Sequence, residues 1–518
     1  MSAGRAPAPR DRGELALVLH SHMPYVEGFG TWPFGEEWLF EAIATSYLPL
    51  LRVCERLAAD GRRDVLTIGV TPVLADQLAL AEVGERFLRF LREVRTSAHR
   101  IDEQGLKRSG QGPAAAALRR SARHYERADA DFERLGRDLL GALSRLRDAG
   151  AIELWTSAAT HAVLPLVASE AGVRLQLQTG IDAHRARFDA WSGGFWLPEC
   201  AYRPGLDEQL SAAGVRAFCA FLRDGDALAS LEPVATASST VAVPIDWETI
   251  SLVWDERGYP ADPVYRDYHT HTPNGLRPFA NGGGPYDADS ALVRAGEHAA
   301  DFVERVLARL ARYRAERGRP GLVVCALDTE LLGHWWHEGP AWLEAVVERA
   351  DAGGLALTTL PAALERHQAQ QSPLRESSWG TGRDLRTWDS PAVADLVWPA
   401  RRAELALLRA TRGRAGAAGE AALARAASEL LALQSSDWAF MATRRLAADY
   451  PDLRVRHHAD ELERALGVLA RELADCRDMP AGDTGAVEPR LRGLAPWLSL
   501  AALREPPSPW GRDTTERS

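Results

Sequence analysis

Leu322-Val-Val-Cys-Ala-Leu-Asp-Thr-Glu330 is a run of six apolar residues that ends in two carboxylates. Six apolar residues without alternation describe a strand buried on both faces, the habit of parallel sheets covered by helices. A carboxylate at the end of such a strand is costly to keep charged unless something pairs with it or uses it. Asp328 ends the run, and Glu330 shares its face if the strand continues. The Asp-Thr pair equally suits the cap of a helix starting at Leu331.

The same pattern recurs upstream. Gly194-Phe-Trp-Leu-Pro-Glu-Cys-Ala-Tyr202 sets Glu199 among apolar and aromatic residues at a strand end. Glu14 to Leu19 reads as a strand that runs into His20-Ser-His-Met-Pro24. Val65 to Val70 is a second strand, with a helix over Phe40 to Leu57 between the two. Further strands are expected at Ile152 to Thr156, Ala217 to Phe221, Ser251 to Trp254 and Leu355 to Thr359, and a helix at Ala341 to Ala350. Repeated β/α units with acids and histidines at strand C-termini describe an α/β barrel with its site on that face. An open doubly wound sheet satisfies the same pattern.

Two helical regions interrupt or follow these units. Residues 79–149 are rich in Ala, Arg, Glu and Leu at helical spacing, clearest over Ala114 to Arg147, and read as an insertion within a barrel domain spanning 13–385. Residues 390–505 read as a C-terminal helical domain, with helices at Ala392 to Arg412, Gly419 to Leu433 and Arg456 to Glu472. Residues 222–290 are poor in regular signals, and loops of that length inside a domain usually serve function. Asn281-Gly-Gly-Gly-Pro285 neither follows a strand nor opens a helix, so it is no phosphate loop. Residues 1–12 and 506–518 are expected to be loose termini.

Composition narrows the class. The chain has 518 residues, 46% hydrophobic and 25% charged, with a net charge of -10, which argues against a nucleic-acid binder. No apolar run reaches the length of a membrane span and the N-terminus lacks an apolar h-region. Five scattered cysteines with no CxxC pair fit a reducing compartment, so a cytoplasmic protein is expected. Sixteen tryptophans against thirteen phenylalanines is an unusual ratio, and many of them sit beside Gly, Pro or acids. Flat aromatic faces stack on sugar rings, so the set reads as a carbohydrate surface, although each Trp taken alone fits a core.

Glu199 and Asp328 then form a candidate two-carboxylate site. Glu199 would attack an anomeric carbon, or pair with an arginine such as Arg203. Asp328 or Glu330 would act as general acid with its pKa raised by burial. His20 and His22 lie at i and i+2, a metal-binding spacing that His161 and Asp328 could complete; the alternative is hydrogen bonding to sugar hydroxyls. Trp379 and Asp437 sit in Ser- and Gly-marked contexts that suit stacking and hydroxyl contacts.

Six motifs in order resemble glycoside hydrolase family 57, closest to its 1,4-α-glucan branching enzymes, including actinobacterial-type members. They are LHSHMPY at 19–25, ELWTSAATHAVLPL at 153–166, GFWLPECAY at 194–202, LDTELLGHWWHEGP at 327–340, SSWGTGRDLRTW at 377–388 and QSSDWAFM at 434–441. The resemblance implies an incomplete (β/α)7 barrel with a helical C-terminal domain, a retaining mechanism, an α-1,4-glucan substrate, and no metal or other cofactor. It puts Glu199 at the nucleophile and Asp328 at the general acid/base. His20, His22 and His161 would line the donor-side pocket, and Asp246, Trp254, Trp379, Trp388 and Asp437 would complete the glucan contacts. Retention requires the two carboxyls to stand about 5–5.5 Å apart. The chain departs from the family in four places. The stretch Ala227 to Val243 lacks a loop tyrosine thought to exclude water. Ile245 stands where an arginine is usual, Ala261 where a glycine is, and His337 where a tyrosine is. Branching, disproportionation and hydrolysis therefore remain three alternatives, beside a non-catalytic glucan binder.

Overall fold

The computed structural model describes residues 9–222, 226–411, 417–473 and 489–504. Its strands are β1 (Glu14–Ser21), β2 (Leu66–Val70), β3 (Ile152–Ser157), β4 (Gly194–Trp196), β5 (Ala217–Ala220), β6 (Val234–Ala235), β7 (Val241–Pro244), β8 (Leu322–Asp328), β9 (Ala356–Leu357) and β10 (Gln370–Gln371). Among the described residues, seven parallel strands run β7-β5-β4-β3-β2-β1-β8 around an incomplete (β/α)7 barrel. Short β6 pairs antiparallel with β7, and β9 adds to the start of β1. The edges β7 and β8 form no ladder. They meet where the Asp246 N–H donates to the Val324 carbonyl at 2.8 Å.

The opening apolar run behaves as its composition requires. Every residue from Leu322 to Leu327 is at most 1% exposed, because one face fills the barrel and the other lies under helices. Register carries that burial to the site: β1 pairs with β8 from Glu14↔Leu322 to His20↔Asp328, so a histidine and an acid leave adjacent strands at one level.

The insertion between β2 and β3 is helical, with helices Pro72–Leu78, Ala81–Arg89, Thr96–Arg108, Gly112–Arg134 and Leu139–Asp148. The periodic run over Ala114 to Arg147 breaks at Gly136, whose φ of 68° is left-handed and ends a helix without a Cβ penalty. Two expected strands change. Ser251 to Trp254 belongs to a helix, Trp247–Trp254, because Asp246 caps it by accepting from the Thr249 N–H. Four apolar residues cannot by themselves tell strand from helix, and the true strand, β7, lies just upstream. Of Leu355 to Thr359 only Ala356–Leu357 is strand.

The C-terminal region holds helices Ala394–Ala410, Ala417–Leu433, Ser436–Arg444 and Tyr450–Leu473. Its apolar cluster, with Leu407, Ala426, Leu430, Leu462 and Leu469, continues into Tyr25, Val73 and Ala159 from the segments that follow β1, β2 and β3. The helices therefore dock on the C-terminal face of the barrel. Pro9–Arg12 is one helical turn, and the remainder of the expected loose termini lies outside the described residues. Cys54, Cys200, Cys219 and Cys325 are buried free thiols; Cys476 lies outside the described residues. Among the described residues no helix is long and apolar enough to cross a membrane.

Candidate active site

Glu199 sits on an unusual piece of backbone. β4 ends after three residues, and Glu199 (φ 61°) and Cys200 (φ 49°) are both left-handed. Residues other than glycine rarely adopt that region, and they hold it where their surroundings impose it. Here the surroundings are the 377–379 segment. Tyr202 and Ser377 exchange backbone hydrogen bonds at 2.9 and 3.0 Å, and the Trp379 N–H donates to the Glu199 carbonyl at 3.0 Å. The side chain receives one donor on each oxygen: Trp379 Nε1–H to Oε2 at 2.8 Å and the Ser436 hydroxyl to Oε1 at 2.9 Å. Burial nevertheless pushes the carboxyl up to about 7, against those two donors.

Asp328 has the opposite environment. Among the described residues no donor reaches its carboxylate. Burial raises its pKa well above the usual range, and the neighbouring Glu330, Glu199 and Asp437 add to the rise. Glu330 does not continue the strand face, because the chain turns into a 3-10 segment at Thr329–Leu331. Its Oε1 accepts from the Tyr47 hydroxyl and from the His22 N–H at 3.1 Å. Burial lifts Glu330 to about 7 despite the Tyr47 hydrogen bond.

The histidines form a stack. His20 lies on Trp196 (centroids 4.6 Å apart, 14° between planes), and His22 lies on His161 at 4.0 Å. His20 Nε2 meets His161 Nε2 at 2.8 Å, and His161 Nδ1 meets Ser436 Oγ at 2.9 Å. His20 and His161 are 1% and 3% exposed, so they stand behind the site rather than on its surface. Desolvation holds both well below the ordinary histidine range, and the charge on His22 adds to it. His22 and Asp437 face the opening and bond at 2.9 Å. Burial opposes charge on His22, but Asp437, then Glu330 and Glu199, outweigh it and raise its pKa. Burial likewise opposes charge on Asp437, yet His22, His161 and Ser435 hold it at about 2. Ligand atoms of His22, His161 and Asp437 lie within 4.8 Å of one another, the spacing of a metal site. Those ring and carboxylate atoms are already engaged with one another, with His20 and with Ser436.

Two expected glucan contacts are corrected. Trp388 is 2% exposed inside an apolar cluster with Val163, Leu385, Val393 and Ala439, so it has no face to offer a sugar. Asp246 is fully buried; its oxygens take Arg309 Nε at 2.8 Å and Nη2 at 2.5 Å, together with the Ser230 hydroxyl at 2.8 Å. It ties β7 to the Ala288–Arg317 helix and has no oxygen left for a ligand. Trp254, 46% exposed, lies parallel to Trp379 with centroids 6.5 Å apart, and Trp379 in turn touches the Glu199 carboxylate. Ser436 and Tyr47 escaped the sequence reading. Ser436 stood inside the quoted QSSDWAFM motif beside Asp437, whereas Tyr47 carried no signal.

The glycosyl hydrolase family 57 profile matches residues 16–374, the barrel and both carboxylates included. The chain belongs to glycosyl hydrolase family 57. A second profile, the C-terminal region of 1,4-alpha-glucan branching enzymes, matches residues 400–477 and so includes Ser436 and Asp437. A family 57 relative from Thermococcus kodakarensis, named a 1,4-alpha-glucan branching enzyme, is 34% identical over 89% of this chain and 74% of its own. The crystal structure of a family 57 branching enzyme from Pyrococcus horikoshii superposes with a TM-score of 0.89 at 31% identity, covering 95% of this chain and 97% of that one. The alpha-amylase AmyC of Thermotoga maritima shares the fold at a TM-score of 0.76 and 26% identity, over 90% and 95% of the two chains.

Proposed function

We propose that this family 57 enzyme is a 1,4-α-glucan branching enzyme working by retention through Glu199 and Asp328. The observation that carries the roles is the contrast between the two carboxyls. Glu199 has a donor on each oxygen, which favours its ionised form, whereas Asp328 has three carboxylates near it and no donor. Glu199 attacks C1 of an α-1,4-linked glucosyl unit while Asp328 gives its proton to the departing O4. The Asp328 carboxylate then takes the proton of an acceptor 6-hydroxyl as O6 attacks C1 and Glu199 leaves. Two displacements at one carbon retain the α configuration. Trp379 and Ser436 stabilise the charge that returns to Glu199 in the second step. Trp254 and Trp379 stack on the glucan, and Asp437, held through Oδ2 by His22 and Ser435, bonds a hydroxyl through Oδ1. The free buried thiols support a cytoplasmic setting.

One observation favours hydrolysis as a second reading. The stretch 227–243 lacks a tyrosine and is tied into the barrel wall, with Arg309 Nη2 donating to the Ala227 carbonyl at 2.7 Å and to Ser230 Oγ at 3.1 Å. Incubation with amylose separates the readings. Branching produces α-1,6 linkages by proton NMR with few new reducing ends, and Glu199→Gln abolishes them. Reducing ends without α-1,6 linkages would replace branching by hydrolysis.

A further inference from the structure

The hydrogen bonds that end on Glu199 run in one direction. His20 and His161 are both held neutral by burial, so each ring carries one N–H. Among the described residues, His20 Nδ1 is buried and has no hydrogen-bond partner. A bare nitrogen there leaves a lone pair unmatched, while an N–H there would leave a buried donor unmatched, which folded proteins avoid more strictly. The His20 proton therefore sits on Nε2 and is donated to His161 Nε2, 2.8 Å away. His161 Nε2 is then an acceptor, so its proton is on Nδ1 and is donated to Ser436 Oγ at 2.9 Å. Ser436, having accepted, gives its one hydrogen to Glu199 Oε1 at 2.9 Å.

The reverse direction is also a complete chain, and it has different consequences. It needs a proton on Glu199 donating to Ser436, Ser436 donating to His161 Nδ1, and His161 Nε2–H donating to His20 Nε2. It ends with a proton on His20 Nδ1, the atom with no partner. The orphaned nitrogen thus selects the direction in which Glu199 is ionised.

We propose that Ser436, oriented by the His161–His20 pair, is a positioning residue that keeps Glu199 ionised and leaves the proton of the carboxylate pair on Asp328. This rests on the reading of Glu199 and Asp328 as the reacting pair. Other groups around Glu199 pull both ways. His22 favours its charge and Asp437 opposes it, while Glu199 in turn helps to hold the neighbouring Cys200 thiol and Asp328, with Glu330 behind it, in their neutral forms, and Arg383 stands beyond Cys200. With Ser436 removed, Trp379 is the remaining donor to the Glu199 carboxylate among the described residues. Ser436 is 4% exposed and its hydroxyl is engaged by His161 and Glu199, so its effect passes through Glu199.

The test compares wild type, Ser436→Ala and Ser436→Thr by the pH dependence of amylose branching. In parallel, the Glu199 and Asp328 carboxyls are titrated by 13C NMR on protein labelled at glutamate and at aspartate, assigned with Glu199→Gln and Asp328→Asn. Loss of the donor raises the Glu199 pKa, so in Ser436→Ala the acid limb and the carboxyl titration both move up by about one pH unit, with KM little changed. Threonine keeps the hydroxyl and returns both toward the wild-type values. An active wild type whose limb and titration stay put in Ser436→Ala overturns the proposal. So does a wild-type titration in which Glu199 holds its proton to higher pH than Asp328, a measurement that needs no variant to fold. Wild type that fails to act on amylose, with the carboxyl titration still shifted by Ser436→Ala, defeats the functional reading and leaves the relay standing.

Discussion

A carboxylate that must be charged inside a folded protein is bought with stability, and Glu199, the proposed nucleophile, shows the sign of that exchange. Its pKa is raised from 4.5 to about 7 in the folded enzyme, with burial the main cause. A carboxyl whose folded pKa exceeds its unfolded value favours the fold fully below the unfolded pKa, and that advantage is lost as pH rises through the folded one. Above neutrality the folded protein therefore carries the cost of a buried charge that the unfolded chain does not. Glu199→Gln removes that charge and keeps the shape. It is expected to be more stable than wild type by on the order of 3 kcal/mol at pH 8, with the gain falling below about 1 kcal/mol at pH 5. Urea unfolding at the two pH values measures it. A variant no more stable than wild type at pH 8 would mean that Glu199 is solvated well enough to ionise freely.

Among elements, the docking of the C-terminal helices depends on one acid. Glu404, on the Ala394–Ala410 helix and 1% exposed, accepts from the Ala168 N–H at 3.0 Å, from the Ser169 hydroxyl, and from Gln434 Nε2 at 3.0 Å. Ser169 caps the Glu170–Phe188 helix, so Glu404 meets that helix at its positive end and also fixes the residue before Ser435 and Ser436. Glu404→Leu leaves several buried donors unmatched and is expected to cost about 2–4 kcal/mol by urea unfolding. A neutral result would place those donors in water. The contact of Glu404 with Ala168 and Ser169 was not readable from the chain, since they lie some 235 residues apart and share no motif. What was readable follows a physical division. Ala394–Ala410 and Ala417–Leu433 appeared within two residues of their expected bounds, Tyr450–Leu473 began six residues before its expected start, and fully apolar β8 appeared as a strand. Ser251 to Trp254 failed as a strand, because a cap decides so short a segment and period does not. Glu199, Asp328, the histidines and Asp437 were legible because motif chemistry marks them. The burial of Trp388 and the ion pair of Asp246 were not, because only the packed fold shows which face of an aromatic or an acid remains open.

At the scale of the whole molecule the active site belongs to two bodies. The barrel supplies Glu199, Asp328 and the histidines, and the helical region supplies Ser436 and Asp437 from the first turn of the Ser436–Arg444 helix. An enzyme built this way acts only while both bodies are folded and docked. Leu430 is fully buried in the cluster that joins them, which mixes Leu430, Leu462 and Leu469 with barrel residues Tyr25, Val73 and Ala159. Because that cluster is shared, the helical region is not expected to melt away from an intact barrel. Leu430→Ala opens a cavity there and is expected to cost about 2–5 kcal/mol. Its catalytic constants at room temperature should stay within about twofold of wild type, since a cavity that leaves Ser436 in place does not touch the reacting groups. On heating, glucan turnover and the near-ultraviolet circular dichroism of the tryptophans should disappear together, several degrees lower than in wild type. Turnover lost while the tryptophan signal persists would show instead that the helical region undocks on its own, and that the hydroxyl holding Glu199 can leave before the barrel unfolds.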